Sequence, residues 1–398
     1  MSGPRRGPEM NQLQMIEDGA VLIEGDRIRE VGPTRRLENL TAVRNAKEIS
    51  AAGRVVMPAF VDSHTHVLAG PARIGSQAAG AQPDARMGLV NLNAVRDSSG
   101  RRLTVEAHGV LKQCLAHGTT TIESKSGAAL NLPGETKLLR VITSLGDTPL
   151  DVVPTFFGAL TTPPEFDGDA ARYIHWLVDE LMPVVHKRGL ARFVDGCADR
   201  GAFTASELRP YFRRARELGF ELKLSALQFG STDGLELTDE FEFASIDGLE
   251  CADEKAADRI AASGAIATLT PASSFFLDLR RAPARDLIAR GVPVAIASNF
   301  SRIATPTYNM QIVIFLACHD LGMTPAEAVT AATINGAHAL KMGHRLGSLE
   351  SGKQADLLIL NVGDYRELAH EFGINLVGST LKRGVVVYDK SGVRWPAE

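Results

Sequence analysis

The chain has 398 residues, 44% of them hydrophobic and 23% charged, which suits a globular protein with room for one large domain and a smaller companion. A net charge of -4, with no run of Lys or Arg, excludes the electrostatic footprint of a nucleic-acid binder or of a protein held on an anionic membrane. Cys114, Cys197, Cys251 and Cys318 form no CxxC pair and no apolar stretch approaches the roughly 20 residues of a spanning helix, so the sequence reads as cytoplasmic, without a disulfide framework or thiolate zinc site.

The first predicted element is a hairpin, "AVLIEGDRIREVG", in which apolar residues flank a Gly-Asp turn. "VVMPAFVD" follows as a strand, and from there short apolar runs alternate with helical segments. The runs are "TTTIES", "DVVPTFF", "ARFVDG", "ELKLSA", "EFASID", "AIATLT" and "PVAIAS"; "AARYIHWLVDELMPVVHKRG" and "SELRPYFRRARELG" are two of the helices between them. Strand-helix alternation on this scale implies a parallel sheet, and eight units imply an α/β fold of the (β/α)8 TIM barrel type over residues 55–342. The last barrel helix, "TPAEAVTAATINGAHAL", opens with Thr324 as cap, Pro325 in the first turn and Glu327 completing a capping box. "ADLLIL" and "GVVVYD" then end the chain with β-rich runs. Neither terminal piece could bury a face alone, so residues 1–54 and 343–398 are expected to form one composite β-sandwich domain.

Barrel chemistry sits at the C-terminal strand ends, where "VVMPAFVDSHTHVLAG" places His64 and His66 two residues apart, both imidazoles on one side. Two such groups suit one divalent metal. An HxH pair alone is a weak signal; behind an apolar strand and Asp62, at the head of a barrel, it is much stronger.

Together, "FVDSHTHVLAGPAR", "LVNLNAVRDSS", "GTTTIESKSG", "DVVPTFFGALTTPPEF", "GVPVAIAS", "ATINGAHAL" and "SGKQADLLIL" resemble the metal-dependent amidohydrolases, and within them the imidazolonepropionases, which open an imidazolone ring in histidine degradation. The resemblance implies the barrel of that superfamily and a metal held by the HxH pair, a fifth-strand histidine and an eighth-strand aspartate. His64 and His66 match. Ser225 in "KLSALQF" stands at the histidine of a "KLHAEQ"-like strand, and Leu227 at its acid-base glutamate. Asn299 in "ASNFSRI" replaces the aspartate, Gly248 in "DGLE" replaces a histidine, and Leu160 and Ala128 replace a further histidine and a tyrosine. Serine and asparagine are poor zinc ligands, so no tight catalytic metal is expected; zinc or iron would bind at low occupancy through His64 and His66.

The retained polar groups point to catalytic roles for His64, His66, Lys125 and Asn299. Arg73, Asn93, Arg96, Ser225 and Gln228 are candidate substrate-binding residues, with Arg73 at the family's carboxylate-holding arginine. For the histidines the plainer reading is hydrogen-bonded relics of a metal site. For Lys125 it is a structural ion pair with Glu123 or Asp199, and for Cys197 an inert buried thiol. Three functional readings stand open: a divergent enzyme acting at a carbon-nitrogen bond or adjacent proton of a small nitrogen-containing carboxylate without zinc; a metal-dependent hydrolase of a cyclic amide or amidine, recruiting Asp247 or Glu250; or an inactive relative binding a metabolite or partner. Expected partners are a small-molecule substrate and a second copy of the chain in a homodimer, with no nucleic acid and no membrane.

Overall fold

The computed structural model describes residues 3–71, 82–230 and 233–395, within which the strands fall into three sheets. The N-terminal hairpin is β1 (Gly19–Glu24) and β2 (Arg27–Pro33), paired antiparallel around the turn at Gly25 and Asp26. Gly25 adopts φ +62°, which glycine accepts without strain. The run "VVMPAFVD", expected as one strand, is split. β3 (Val56–Pro58) pairs antiparallel with a C-terminal strand, and β4 (Phe60–Asp62) turns into the barrel. Pro58 explains the break, since it has no N–H with which to continue a ladder.

The barrel continues through β5 (Thr119–Lys125), β6 (Asp151–Ala159), β7 (Phe193–Ala198), β8 (Glu221–Ala226), β9 (Phe243–Gly248), β10 (Ile266–Leu269) and β11 (Val294–Ile296). The eight strands β4 to β11 lie parallel in sequence order. Closure between β4 and β11 occurs at the HxH motif itself: Thr65 bridges Phe300, and the His66 N–H donates to the Phe300 carbonyl at 2.7 Å. Asp62 clamps the same seam by accepting from Ser298 N–H at 3.0 Å and from its hydroxyl at 2.5 Å. The chain is a TIM barrel in which first and last strands meet beside the two histidines.

Local signals set the helices between strands. Asn131 caps the helix Leu132–Ser144, while Thr204 with Glu207 and Thr324 with Glu327 form capping boxes, the latter as the sequence predicts. Their apolar faces cover the sheet through fully buried residues such as Leu138, Leu208 and Val313. Each side chain of that size contributes roughly 1.5–3 kcal/mol on burial.

β12 (Leu357–Leu360), β13 (Val377–Lys382), β14 (Val385–Asp389) and β15 (Gly392–Val393) complete a five-stranded sheet with β3. Val21 and Ile23 of the hairpin pack on Leu357, Ile359 and Leu381 of that sheet, and Ile28 N–H donates to the Lys353 carbonyl at 2.8 Å. The hairpin and the C-terminal strands thus build one β-sandwich beside the barrel, whereas the turn Gly7–Asn11, expected in the same domain, docks on the last barrel helix: Asn11 Nδ2 donates to Glu327 Oε1 at 2.9 Å and the Thr330 hydroxyl donates to the Met10 carbonyl at 2.8 Å. No helix among the described residues is long and apolar enough to cross a membrane.

Candidate active site

Side chains alternate along a strand, so every second residue enters the barrel. On β5 these are Glu123 and Lys125; on β7, Asp195 and Cys197; on β8, Lys223 and Ser225; on β9, Ser245 and Asp247. The register brings Asp195 beside Lys223 and Ser225 beside Asp247. A TIM barrel interior is ordinarily filled by layers of branched apolar residues. Here the upper layers are ionic.

Lys223 Nζ lies 2.8 Å from Glu123 Oε2, 2.9 Å from the Ser63 carbonyl and 3.2 Å from Asp247 Oδ2, three oxygens for three N–H donors. Lys125 Nζ pairs with Asp195 Oδ2 and lies 3.2 Å from Asp247 Oδ2 and 3.5 Å from Glu123 Oε2. His64 Nδ1 meets the same Asp247 oxygen at 2.7 Å. All five ionic side chains are 0% exposed. Charges so deep are stable only when paired, so none of the five can be neutralised alone without cost.

Burial and the neighbouring Lys125 push the His64 imidazole down to about 3, against the opposing pull of Asp247. His66 falls to about 3 for the same two leading reasons. Both rings are therefore neutral near pH 7, well below the ordinary value near 6.5. With Asp247 held well below the usual carboxylate range by Lys223 and Lys125 in spite of its burial, His64 Nδ1 is the donor and Nε2 keeps the lone pair. Burial tends to lower Lys125, but Asp195, Glu123 and Asp247 outweigh it and the ammonium is retained. Burial raises Asp195.

A cavity opens above this floor, lined among others by His64, His66, Lys125, Ser225, Gln228 and Asn299. The structure thus brings together six of the residues singled out from sequence. Asn93 and Arg96 line a separate hollow with Pro164 and Glu165, where Arg96 Nε donates to the Ala129 carbonyl at 2.7 Å. Arg73 lies outside the described residues. Asp199, suggested as a partner for Lys125, instead accepts the backbone N–H groups of Arg200, Gln228, Phe229 and Gly230 at 2.6 to 3.2 Å and so shapes the cavity rim. Glu250 bonds Thr270 and Ser274 at 3.0 and 2.9 Å rather than joining Asp247. Cys197 lines the cavity, but burial keeps its thiol well above the ordinary value. Asp195 and Lys223 were not singled out from sequence. Their signal was present: isolated charges at alternate positions inside apolar strands, "FVDG" and "ELKLSA", which a parallel barrel buries on both faces.

The chain is 38% identical to an imidazolonepropionase of Geobacillus kaustophilus, over 97% of this chain and 93% of that one, and 36% identical to one of Alkaliphilus metalliredigens, over 98% and 95%. The chain belongs to the imidazolonepropionase family. Residues 231–387 also match the model of the amidohydrolase family. Among solved structures, Escherichia coli guanine deaminase superposes with a TM-score of 0.72 at 16% identity, covering 98% of this chain and 96% of that one. The zinc complex of TrzN from Arthrobacter aurescens gives 0.73 at 16%, covering 96% and 93%. At such identity these two support the fold alone.

Of the neutral replacements in the imidazolonepropionase family pattern, Ser225 and Asn299 are hydrogen-bonded into their surroundings. The Ser225 hydroxyl donates to Asp195 Oδ2 at 3.0 Å, and Asn299 Nδ2 donates to the Ser273 hydroxyl at 2.9 Å. Gly248 sits at φ +104°, and a Cβ there would meet the Ala226 carbonyl oxygen at 2.9 Å, so a histidine cannot be regained at this position without moving β8. Leu160 and Ala128 line the cavity and make that wall apolar.

Proposed function

We propose that the barrel mouth hydrolyses a carbon-nitrogen bond of a small cyclic amide or amidine bearing a carboxylate, the imidazolonepropionase type of reaction. Kinship along nearly the whole length of enzymes with that name carries the reading. The retained polar lining supports it: as a nucleophile adds to the ring carbon, charge grows on the adjacent oxygen or nitrogen, and the Asn299 amide, which has one N–H beyond its bond to Ser273, is a cavity-lining donor able to stabilise it, while the buried Lys125 ammonium contributes a positive charge from the floor. His66, the more open of the two rings, and Gln228 would orient the ring by hydrogen bonds. Arg73, outside the described residues, would hold the carboxylate as a bidentate guanidinium.

A second reading, activation by a divalent ion, is favoured by one observation: donor atoms of His64, Glu123 and Asp247 lie within 4.8 Å of one another. A zinc in this set would supply Lewis acidity and a more acidic bound water. The set fits such an ion poorly, because Glu123 Oε2 and Asp247 Oδ2 already face the ammonium groups of Lys125 and Lys223 at 2.8 to 3.5 Å. Without those carboxylates, the two imidazoles fall short of the three protein ligands a catalytic zinc normally has.

The test is a panel of imidazolones and cyclic amidines with and without a carboxylate, followed by loss of ring absorbance and gain of one water in the mass of the product. Ring opening that falls roughly 10²-fold or more in Asn299→Gly, in a variant that still folds, supports the assignment. Binding without ring opening across the panel would overturn it.

A further inference from the structure

We infer that Ser225 is a nucleophile and that Asp195 is the base that takes its proton. The inference deepens the ring-hydrolysis reading and rests on it for the identity of the bond broken. Three observations carry it. Ser225 is part-exposed at the end of β8 and lines the cavity, while its hydroxyl points its hydrogen at Asp195 Oδ2, 3.0 Å away. Asp195 is 0% exposed, and its second oxygen, Oδ1, is buried with no hydrogen-bond partner among the described residues. A fully buried carboxylate oxygen left unpaired is uncommon and costs stability. Finally, Lys125 is paired to the Oδ2 that receives the serine hydrogen, which fixes the carboxylate's orientation. A nucleophile within hydrogen-bond reach of a base, with the base held by a third group, is the arrangement that activates a hydroxyl.

The chemistry balances without any further reagent. Ser225 Oγ bonds to the ring carbon as its proton passes to Asp195, and the carbon-nitrogen bond of the ring breaks. The departing nitrogen takes a proton and stays tethered to the acyl group, so the ester intermediate has the mass of enzyme plus intact substrate. Water then attacks the ester, the Ser225 oxygen recovers a proton, and the opened acid leaves with one water added overall.

An alkyl fluorophosphonate, which reports an activated serine whether or not the natural ring compound is known, provides the test. Intact-mass and peptide mass spectrometry should find one phosphonyl group per chain on the peptide containing Ser225. Ser225→Ala should abolish it with an unchanged thermal midpoint. Asp195→Asn should slow labelling by roughly 10²- to 10⁴-fold, the usual value of a positioned base; should that variant fail to fold, Ser225→Thr, which keeps the hydroxyl but crowds its approach, should label more slowly than wild type. Labelling elsewhere only, or none at Ser225, overturns the inference. The two proposals fail separately: a ring opened at the normal rate by Ser225→Ala refutes the nucleophile and leaves ring hydrolysis standing, whereas Ser225 labelling in a protein that opens no ring does the reverse.

Discussion

Lys223 Nζ lies 2.8 Å from Glu123 Oε2 where neither side chain is exposed to solvent. Removing one member of such a pair strands the other charge, which costs about 3–5 kcal/mol, whereas replacing both by groups of similar volume can be nearly neutral. Lys223→Met and Glu123→Gln should each lower the urea midpoint sharply, and the double variant should be more stable than the sum of the two losses implies. A strictly additive double-mutant cycle would mean that the pair is not coupled.

The strands of the barrel were legible because a parallel sheet buried on both faces needs continuous β-rich runs, and these stand between clear helix caps. β13 was not, since "VGSTLK" carries Gly, Ser and Lys and owes its place to pairing with β12 and β14. At the site, His64 and His66 were legible from spacing, and Ser225 and Asn299 from the motifs around them. Asp195 and Lys223 were missed because a single charge in a strand reads equally well as a solvent-facing residue. Only closing the barrel turns Lys223 toward Glu123.

Metal binding can be checked directly. Protein purified without chelator and dialysed against zinc should hold far less than one equivalent, because Lys125 and Lys223 already neutralise the carboxylates nearest His64. Ser225→His with Asn299→Asp should raise the zinc content, since it restores a third imidazole and an anionic oxygen; aspartate tolerates the φ of +48° at position 299. Stoichiometric zinc in the unmodified protein, lost in His64→Ala, would favour the metal-dependent reading instead.

Glu250 gives a pH dependence of stability. Burial raises its carboxyl from 4.5 to about 7 in the folded chain, only partly opposed by its hydrogen bonds from Ser274 and Thr270. Between these values the unfolded chain loses its proton and the folded chain keeps it, so this group's contribution is fully present below pH 4.5 and falls as pH rises through about 7. The loss is on the order of 3 kcal/mol. Glu250→Gln cannot titrate, so the stability difference between variant and wild type should move in the variant's favour from pH 4.5 to 8. Equal differences at both ends would show that Glu250 titrates normally in the fold.

Asn299 allows backbone and side-chain contributions to be separated. Its φ of +48° is left-handed, a conformation that costs most residues roughly 1–2 kcal/mol but that asparagine and glycine adopt readily. Its amide also lines the cavity and donates to Ser273 at 2.9 Å. Asn299→Ala removes both advantages, while Asn299→Gly removes only the amide. The alanine variant should therefore melt below the glycine variant. If the amide stabilises charge on the substrate, ring opening should fall by a similar factor in both, roughly 10²-fold or more, through kcat rather than KM. Activity that followed the melting temperature instead, with glycine near wild type and alanine low, would assign Asn299 a purely conformational role.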